Sequence, residues 1–363
     1  MKLAIVHDWL TNMGGAEQVV INFKEIYKDA PIYTTFYTPE KLDDKLKNID
    51  VRTSFLQKKK LIYNHKKYFP LMPLAFSLFN MKDYDVILSS SSSCAKGVKK
   101  RKDAIHICYI HTPMRYAYEF KGEYTKGMNP IKKMLVNILM FFMRIWDQKN
   151  SKRIDYFIAN SSEIKRRVKN TYNRDSVVIN PPVRCNMFNI SETDGDYYLV
   201  MSRLVGYKRF DIAVEACKQL GKKLVVIGDG PEREKLEKIA EENENIVFMG
   251  RQPDEVVKKY MSECKALLFP GLEDFGIVPV EAQACGRPVI AYGKGGVLDS
   301  VIDGKTGVFF DEQTAKSLGD AITKFECMKF DKQIIREHAL QFDETEFRRK
   351  IKEFVDEKTK NKF

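Results

Sequence analysis

The sequence predicts an α/β protein of two doubly wound, Rossmann-like domains facing a central cleft. Three observations predict it. The chain has 363 residues, too many for one ordinary core. Strand-length apolar runs alternate with helical patterns from end to end, as parallel sheets covered by helices require. The alternation breaks once, where residues 184–196 are polar and lack periodicity. The first domain is therefore placed at 1–183, a linker at 184–196 and the second domain at 197–342.

Lys2–His7 reads as a buried first strand and Ala16–Tyr27 as the helix after it. Ile32–Tyr37, Asp85–Ser89, Ile105–Ile110 and Ile154–Ala159 read as further strands, and Val177–Ile179 as a short one stopped by Pro181-Pro182. The second series is Tyr198–Met201, Leu224–Ile227, Ile246–Met249, Ala266–Phe269, Val289–Ala291 and Val308–Phe310. Helical patterns at Phe210–Leu220 and Glu232–Glu242 separate some of these strands. Asp343–Lys358 is a charged amphipathic helix with Phe347, Ile351, Phe354 and Val355 as its apolar stripe. Open sheets of this kind bind ligands beyond the carboxyl ends of their strands, so the loops there are where chemistry is expected.

Composition narrows the choice. Apolar residues make up 44% of the chain, enough for two cores. Lys+Arg 61 against Asp+Glu 49 leaves a net charge of +12, which suits anionic partners. The 7 cysteines include no Cys-x-x-Cys pair, which argues against a disulfide framework or structural zinc and for a reducing cytoplasm. The apolar start Leu3–Val6 is too short for a signal peptide, and no apolar run approaches the roughly 20 residues that span a bilayer. The sequons at Asn160 and Asn189 therefore carry little weight. No metal is expected: Asp83/Asp85 and Asp194/Asp196 are the best acidic pairs, and they flank a strand start and lie in the linker. No Gly-x-Ser-x-Gly elbow supports a serine hydrolase, and no nucleic-acid motif accompanies the basic charge.

Gly271-Leu-Glu273-Asp-Phe275-Gly276-Ile277-Val278-Pro-Val-Glu281 is the most informative stretch. It follows an apolar strand and runs into a helix that stops at Gly286 and Pro288. Glu273 is placed on the loop and Glu281 about two turns into the helix. Unpaired amides at a helix start attract phosphate, and carboxylates beside them suit hydroxyls, so the pattern describes a pocket for a nucleotide sugar. Ser202-Arg203-Leu-Val-Gly-Tyr-Lys208-Arg209 follows the first strand of the second domain and offers cations for a diphosphate. Gly228-Asp-Gly230 and Gly293-Lys-Gly295-Gly296 are further turns on that edge, and Arg251 can meet a base. In the first domain, Gly14-Gly15 opens the first helix; it is a phosphate contact or an ordinary turn. His111, in Tyr109-Ile-His-Thr-Pro113-Met-Arg115, faces the cleft or is a buried histidine bonded to backbone.

Two stretches carry apolar and basic residues together. In 131–148, Lys133, Asn137, Arg144, Asp147 and Gln148 form a narrow polar stripe, while Leu135, Ile138, Leu139, Phe142, Ile145 and Trp146 fill the rest. In 58–79, Lys58, Lys59, Lys60, Lys66 and Lys67 interleave with Tyr63, Tyr68, Phe69, Phe76 and Phe79. Both read as contacts for an anionic membrane surface or as a core helix and a solvated loop.

On Arg203, Lys208, Glu273 and Glu281, in that order and spacing, the chain resembles the family-4 retaining glycosyltransferases of the GT-B fold. Its first half, with Gly14-Gly15 and Tyr109–Tyr116, is similar to bacterial mannosyltransferases of cell-surface polysaccharide assembly. The resemblance implies that Arg203 and Lys208 hold the donor diphosphate and that Glu281 bonds the ribose. It places Glu273 and the amides of Phe275, Gly276, Ile277 and Val278 at the transferred sugar and phosphates. Gly14 and Gly15 would then lie near the distal phosphate, and His111 near the anomeric end. It further implies a helix near 343–363 that returns to the first domain. The donor would be a nucleotide diphosphate sugar, GDP-mannose first and a UDP-sugar next, with no prosthetic group. The acceptor would be a lipid-linked or free saccharide at the inner face of the membrane. Ser202 and Arg209 stand where the family often has glycine, and Asp299 where it often has glutamate. A 2-epimerase of the same fold, a phosphate-dependent phosphorylase and a non-enzymatic nucleotide- or lipid-binding protein are the alternatives.

Overall fold

A computed structural model describes residues 1–58, 65–118, 129–360 and 362. The chain divides into two compact units, Met1–Pro182 with Phe347–Phe363, and Val183–Glu346. The first holds a 7-stranded sheet in the order β3-β2-β1-β4-β5-β6-β7 and the second a 6-stranded sheet in the order β10-β9-β8-β11-β12-β13. Every pairing between neighbouring strands is parallel. Both sheets are thus Rossmann-like, and the predicted fold class holds.

In the first unit the strands are β1 (Leu3–His7), β2 (Ile32–Thr34), β3 (Val51–Thr53), β4 (Val86–Ser91), β5 (Ile105–Ile110), β6 (Tyr156–Ala159) and β7 (Ser176–Val178). β1, β4 and β5 are buried along their whole length, which is why they read as unbroken apolar runs rather than alternating ones. The sequence pattern missed β3, a three-residue edge strand with Arg52 at its centre. It also overextended β2: after Thr34 the chain turns to let the hydroxyl of Thr35 bond Asp8, and Phe36 is buried outside the ladder. The Glu344–Thr359 helix packs Phe347, Ile351, Phe354 and Val355 into this unit's core beside Phe23 and Tyr109. Each such buried side chain stabilises by about 1.5–3 kcal/mol through the apolar area it removes from water.

The second unit contains β8 (Tyr198–Met201), β9 (Leu224–Ile227), β10 (Ile246–Gly250), β11 (Leu267–Phe269), β12 (Val289–Tyr292) and β13 (Gly307–Phe310). Residues 184–196 sit in this unit, with Cys185 and Phe188 buried in its core. Their ordering is polar in origin: Arg287 and Lys332 both reach the Asp194 carboxylate, at 2.5 and 2.7 Å.

The Pro130–Ser151 helix is amphipathic in an unexpected sense. Asp147, one of the narrow polar stripe, is fully buried and takes a 2.9 Å ion pair from Lys96. Tyr172 and Tyr118 donate to the same carboxylate at 2.6 and 3.1 Å. Arg144 and Gln148 bond backbone carbonyls of Ala117 and Thr171. Trp146 packs against Gly97, where a methyl group would come within 2.3 Å of the indole. The polar stripe therefore faces partly inward, anchoring the C-terminal half. Ile131, Met134, Leu135, Ile138, Phe141, Phe142 and Ile145 point outward and are 47–70% exposed. Among the described residues no helix is long and apolar enough to cross a membrane. Of the 58–79 patch, residues 59–64 lie outside the described residues; Leu71, Leu74 and Leu78 are exposed.

Candidate active site

The site is assembled at the carboxyl edge of the second sheet, where the loops after four neighbouring strands lock together. The loop after β8 is fixed to the loop after β9 by Leu204 N–H donating to Asp229 O (3.0 Å) and Glu232 N–H donating to Leu204 O (3.2 Å). The β9 loop is tied to β10 by Gly228 N–H donating to Gly250 O at 2.8 Å. On the other side the loop after β12 lies directly on the loop after β11. Gly296 N–H donates to Glu273 O at 2.9 Å, and a methyl group at Gly296 would be 2.0 Å from Asp274 O. Only glycine allows that approach.

Lys208 and Glu273 meet on this edge: the ammonium donates to the carboxylate across the two central loops. Lys208 is buried and also lies 5.5 Å from the centre of the Tyr207 ring. Glu273 is half-buried. Arg203, five residues before Lys208, is exposed and has no hydrogen bond or ion pair among the described residues. Arg209 pairs with Asp211 at 3.1 Å and takes a left-handed conformation, φ 53°. That is a backbone glycine adopts at no cost, so the arginine here carries about 1–2 kcal/mol of strain.

The Ile277–Ala284 helix begins on the same edge. Gly276 precedes it at φ 90°, and no side chain caps it, so its first amides are open. Phe275 itself is core; only its backbone reaches the edge. Glu281 corrects the sequence expectation. It is the fifth residue of the helix, little more than one turn in. The count from Glu273 included loop residues. Burial pushes the Glu281 carboxyl up to about 7; Arg184 draws it back down and Asp254 reinforces the rise. Arg251 is exposed at the end of β10, two strands from β8, and forms no ion pair among the described residues.

The first unit's carboxyl edge is different in kind. Gly14 caps the Gly15–Ile26 helix with extended backbone and no capping side chain, leaving that helix start open too. His111, at the end of β5, is half-buried, and its Nε2 is 2.7 Å from the Ser90 hydroxyl rather than on backbone. Burial, then the neighbouring His7, lower its imidazole to about 3, so it is neutral at physiological pH. Asp8 is buried and accepts from Ser92 N–H, Ser93 N–H and Ala95 N–H at 2.7–2.9 Å, holding the turn after β4. Sequence reading missed His7, Asp8, Ser90 and the Lys96–Asp147 pair. The signal available was the run Ser89–Ser93 at a strand's carboxyl end, an unusual place for five small polar residues.

The acidic pairs weighed for metal are engaged otherwise. Asp85 accepts from Arg101 and from the Lys2 N–H, both at 2.7 Å, and Asp196 from Lys265 at 2.6 Å. Among the described residues no group of three or more His, Cys, Asp or Glu is placed to hold a metal ion.

Comparison with known proteins gives this geometry its family. The Glycosyltransferase Family 4 model matches residues 13–186, and the Glycosyl transferases group 1 model matches residues 187–342. The chain belongs to the group 1, family 4 glycosyltransferases. It is 26% identical to the alpha-1,3/1,6-mannosyltransferase ALG2 of Dictyostelium discoideum over 384 residues, 89% of each chain. Over 172 residues it is 33% identical to an uncharacterized glycosyltransferase of Methanocaldococcus jannaschii, 46% of this chain and about half (48%) of that relative. It is 30% identical to a GDP-mannose-dependent phosphatidylinositol monomannoside mannosyltransferase of Mycolicibacterium smegmatis over 36% of this chain and 38% of that one. Two solved structures share the fold. HepE of Anabaena, solved with UDP, has TM-score 0.71 and 19% identity, over 98% of this chain and 100% of its own. The apo lipopolysaccharide outer core galactosyltransferase WaaB has TM-score 0.70 and 18% identity, over 99% and 100%. In this glycosyltransferase, the GT-B fold places the paired Lys208 and Glu273 on the second sheet and His111 on the first.

Proposed function

We propose that this glycosyltransferase moves a sugar from a nucleotide diphosphate donor to a saccharide or lipid-linked acceptor of cell-surface glycan synthesis, with retention of configuration. The observation that carries the reading is the Lys208–Glu273 contact beside the uncapped Ile277–Ala284 helix, with Arg203 unpaired among the described residues on the same edge. A diphosphate arriving there exchanges the carboxylate for its own charge on Lys208, gains Arg203, and meets open amides. Freed from the lysine, Glu273 accepts from hydroxyls of the transferred sugar. As the donor's glycosidic bond breaks, negative charge grows on the departing phosphate. Lys208, Arg203 and the amides of Ile277 and Val278 stabilise it. The departing phosphate takes the acceptor's proton, so no carboxylate of this chain serves as nucleophile. Glu281 accepts from the ribose, Arg251 meets the base, and Gly14 and Gly15 line the distal phosphate.

Mannose from GDP-mannose is the donor favoured by the two mannosyltransferases among the relatives. UDP-sugars come next, supported by the UDP held by HepE. The acceptor is taken from an anionic membrane surface on the cytoplasmic side. Support comes from the outward apolar face of the Pro130–Ser151 helix, which Lys132, Lys133, Lys149 and Lys152 flank as exposed cations. Each basic residue near an anionic leaflet adds about 1 kcal/mol.

The test is thermal unfolding in the presence of GDP, UDP and ADP, followed by transfer from the matching sugar nucleotide. A ligand at about 100 times its dissociation constant stabilises by roughly 2.7 kcal/mol. If none of the three raises the transition at millimolar concentration, the reading is lost. Donor converted to an isomer without acceptor would point to the epimerase instead.

A further inference from the structure

We propose that Ser90 and His7 are positioning residues that fix the tautomer of His111, presenting its Nδ1–H as a hydrogen-bond donor. The inference rests on the glycosyltransferase reading of His111 but is built from three contacts, two of them buried. His7 Nδ1 lies 3.2 Å from the Ser90 carbonyl oxygen and 3.1 Å from the Ser90 hydroxyl oxygen. A carbonyl only accepts, and an unprotonated ring nitrogen facing it would be a repulsive pair of acceptors. The proton of His7 is therefore on Nδ1, shared between the two Ser90 oxygens. The Glu17 carboxylate stands 3.6 Å from His7 Nε2, beyond hydrogen-bond distance, so the closer Nδ1 contacts decide where the ring proton sits.

Accepting from His7, the Ser90 hydroxyl keeps one hydrogen to give, and its nearest remaining acceptor is His111 Nε2, 2.7 Å away. His111 then accepts at Nε2 and carries its single ring proton at Nδ1. Nδ1 has no hydrogen-bond partner among the described residues, so its N–H is available to a ligand oxygen. The ring is further held by an edge-on contact with Tyr109, centroids 5.3 Å apart. The chemical consequence is specific. His111 donates a hydrogen bond to a hydroxyl or ring oxygen of the bound sugar, and it does not remove a proton through Nδ1. A wrong tautomer leaves the geometry intact and spoils the chemistry.

The test uses the full chain labelled with nitrogen-15 at histidine, with the His111 signals assigned by their loss in His111→Asn. Proton–nitrogen correlation at neutral pH reads which ring nitrogen carries the proton. The expected result is Nδ1–H for His111 in the unsubstituted protein, loss of that preference in Ser90→Ala, and its return in Ser90→Thr, which keeps the hydroxyl. Transfer should follow the same order, with kcat down about tenfold in Ser90→Ala and donor KM little changed, the scale of one lost hydrogen bond. Nε2–H in the unsubstituted protein overturns the inference, and so does a Ser90→Ala variant with unchanged tautomer or unchanged kcat. A protein that shows the expected tautomers yet transfers no sugar from any donor nucleotide leaves the hydrogen-bond relay standing and removes the functional reading beneath it.

Discussion

The carboxyl edges of the two sheets are built from the same topology and hold charge in opposite ways. On the first sheet, several buried polar side chains are held by partners of the same unit: Asp8 by backbone amides, His7 by Ser90, Asp147 by Lys96 and two tyrosines. On the second, close-packed loops leave Arg203 and Arg251 exposed without partners among the described residues, and Lys208 holds the half-buried Glu273 carboxylate. A polar group that already has its partners specifies a shape; one that lacks them specifies a guest. Substitutions should therefore be read out differently: as stability at the buried Asp8 and Asp147 clusters of the first edge, as binding and turnover on the second.

The largest effect is expected at Lys208. Lys208→Ala should lower kcat/KM for transfer by about a hundred- to a thousandfold, as removal of one preorganised charge donor does elsewhere. Its unfolding midpoint should move little, because the group it leaves, Glu273, retains access to water. A variant that instead unfolds while transferring normally would erase the contrast between the edges. Second is Asp147→Ala on the first unit, which leaves Lys96 buried and unpaired. Breaking a pair of this kind costs about 3–5 kcal/mol, measurable as a lower urea midpoint.

The two edges also differed in how well they could be read in advance. The strands that are buried on both faces, β1, β4, β5, β8, β9 and β12, announce themselves as apolar runs, and their loops carry the glycines and charges that mark a ligand edge. Lys208 and Glu273 were legible because unusual residues stood at strand ends in the right order. The first edge was hidden because serine, histidine and aspartate at strand ends are common and gain meaning only from partners about 80 residues away, as Asp8 does with the 92–95 turn. Which way the polar stripe of Pro130–Ser151 faces was hidden for the same reason. A helical wheel shows which residues share a face but not which face a neighbour with a buried lysine will claim.

A smaller effect belongs to Glu281. Its carboxyl is held above the ordinary range, at about 7, so between about 4.5 and 7 the folded chain keeps a proton that the unfolded chain has lost. Stability of the ligand-free protein contributed by this group should fall as pH rises through that window and level off above it. Glu281→Gln should flatten the slope in unfolding midpoints measured from pH 5 to 8; an unchanged slope would mean water reaches the group freely. Smallest is Arg209→Gly. Release of the left-handed strain is offset by loss of the Asp211 and Gln313 contacts, so the midpoint should shift by less than about 1 kcal/mol while donor binding is kept.

Trp146 resting on Gly97 has a bearing on how the enzyme can change over time. The indole leaves no room for even one added carbon, so the root of the Pro130–Ser151 helix is pinned to the turn after β4. Its outer half is held instead by Val136, Leu139 and Met140 packed on the core, with the side chains of the opposite face exposed. Lineages can therefore retune what that half adheres to, by exchanging one greasy side chain for another, without disturbing the strand whose end bears Ser90.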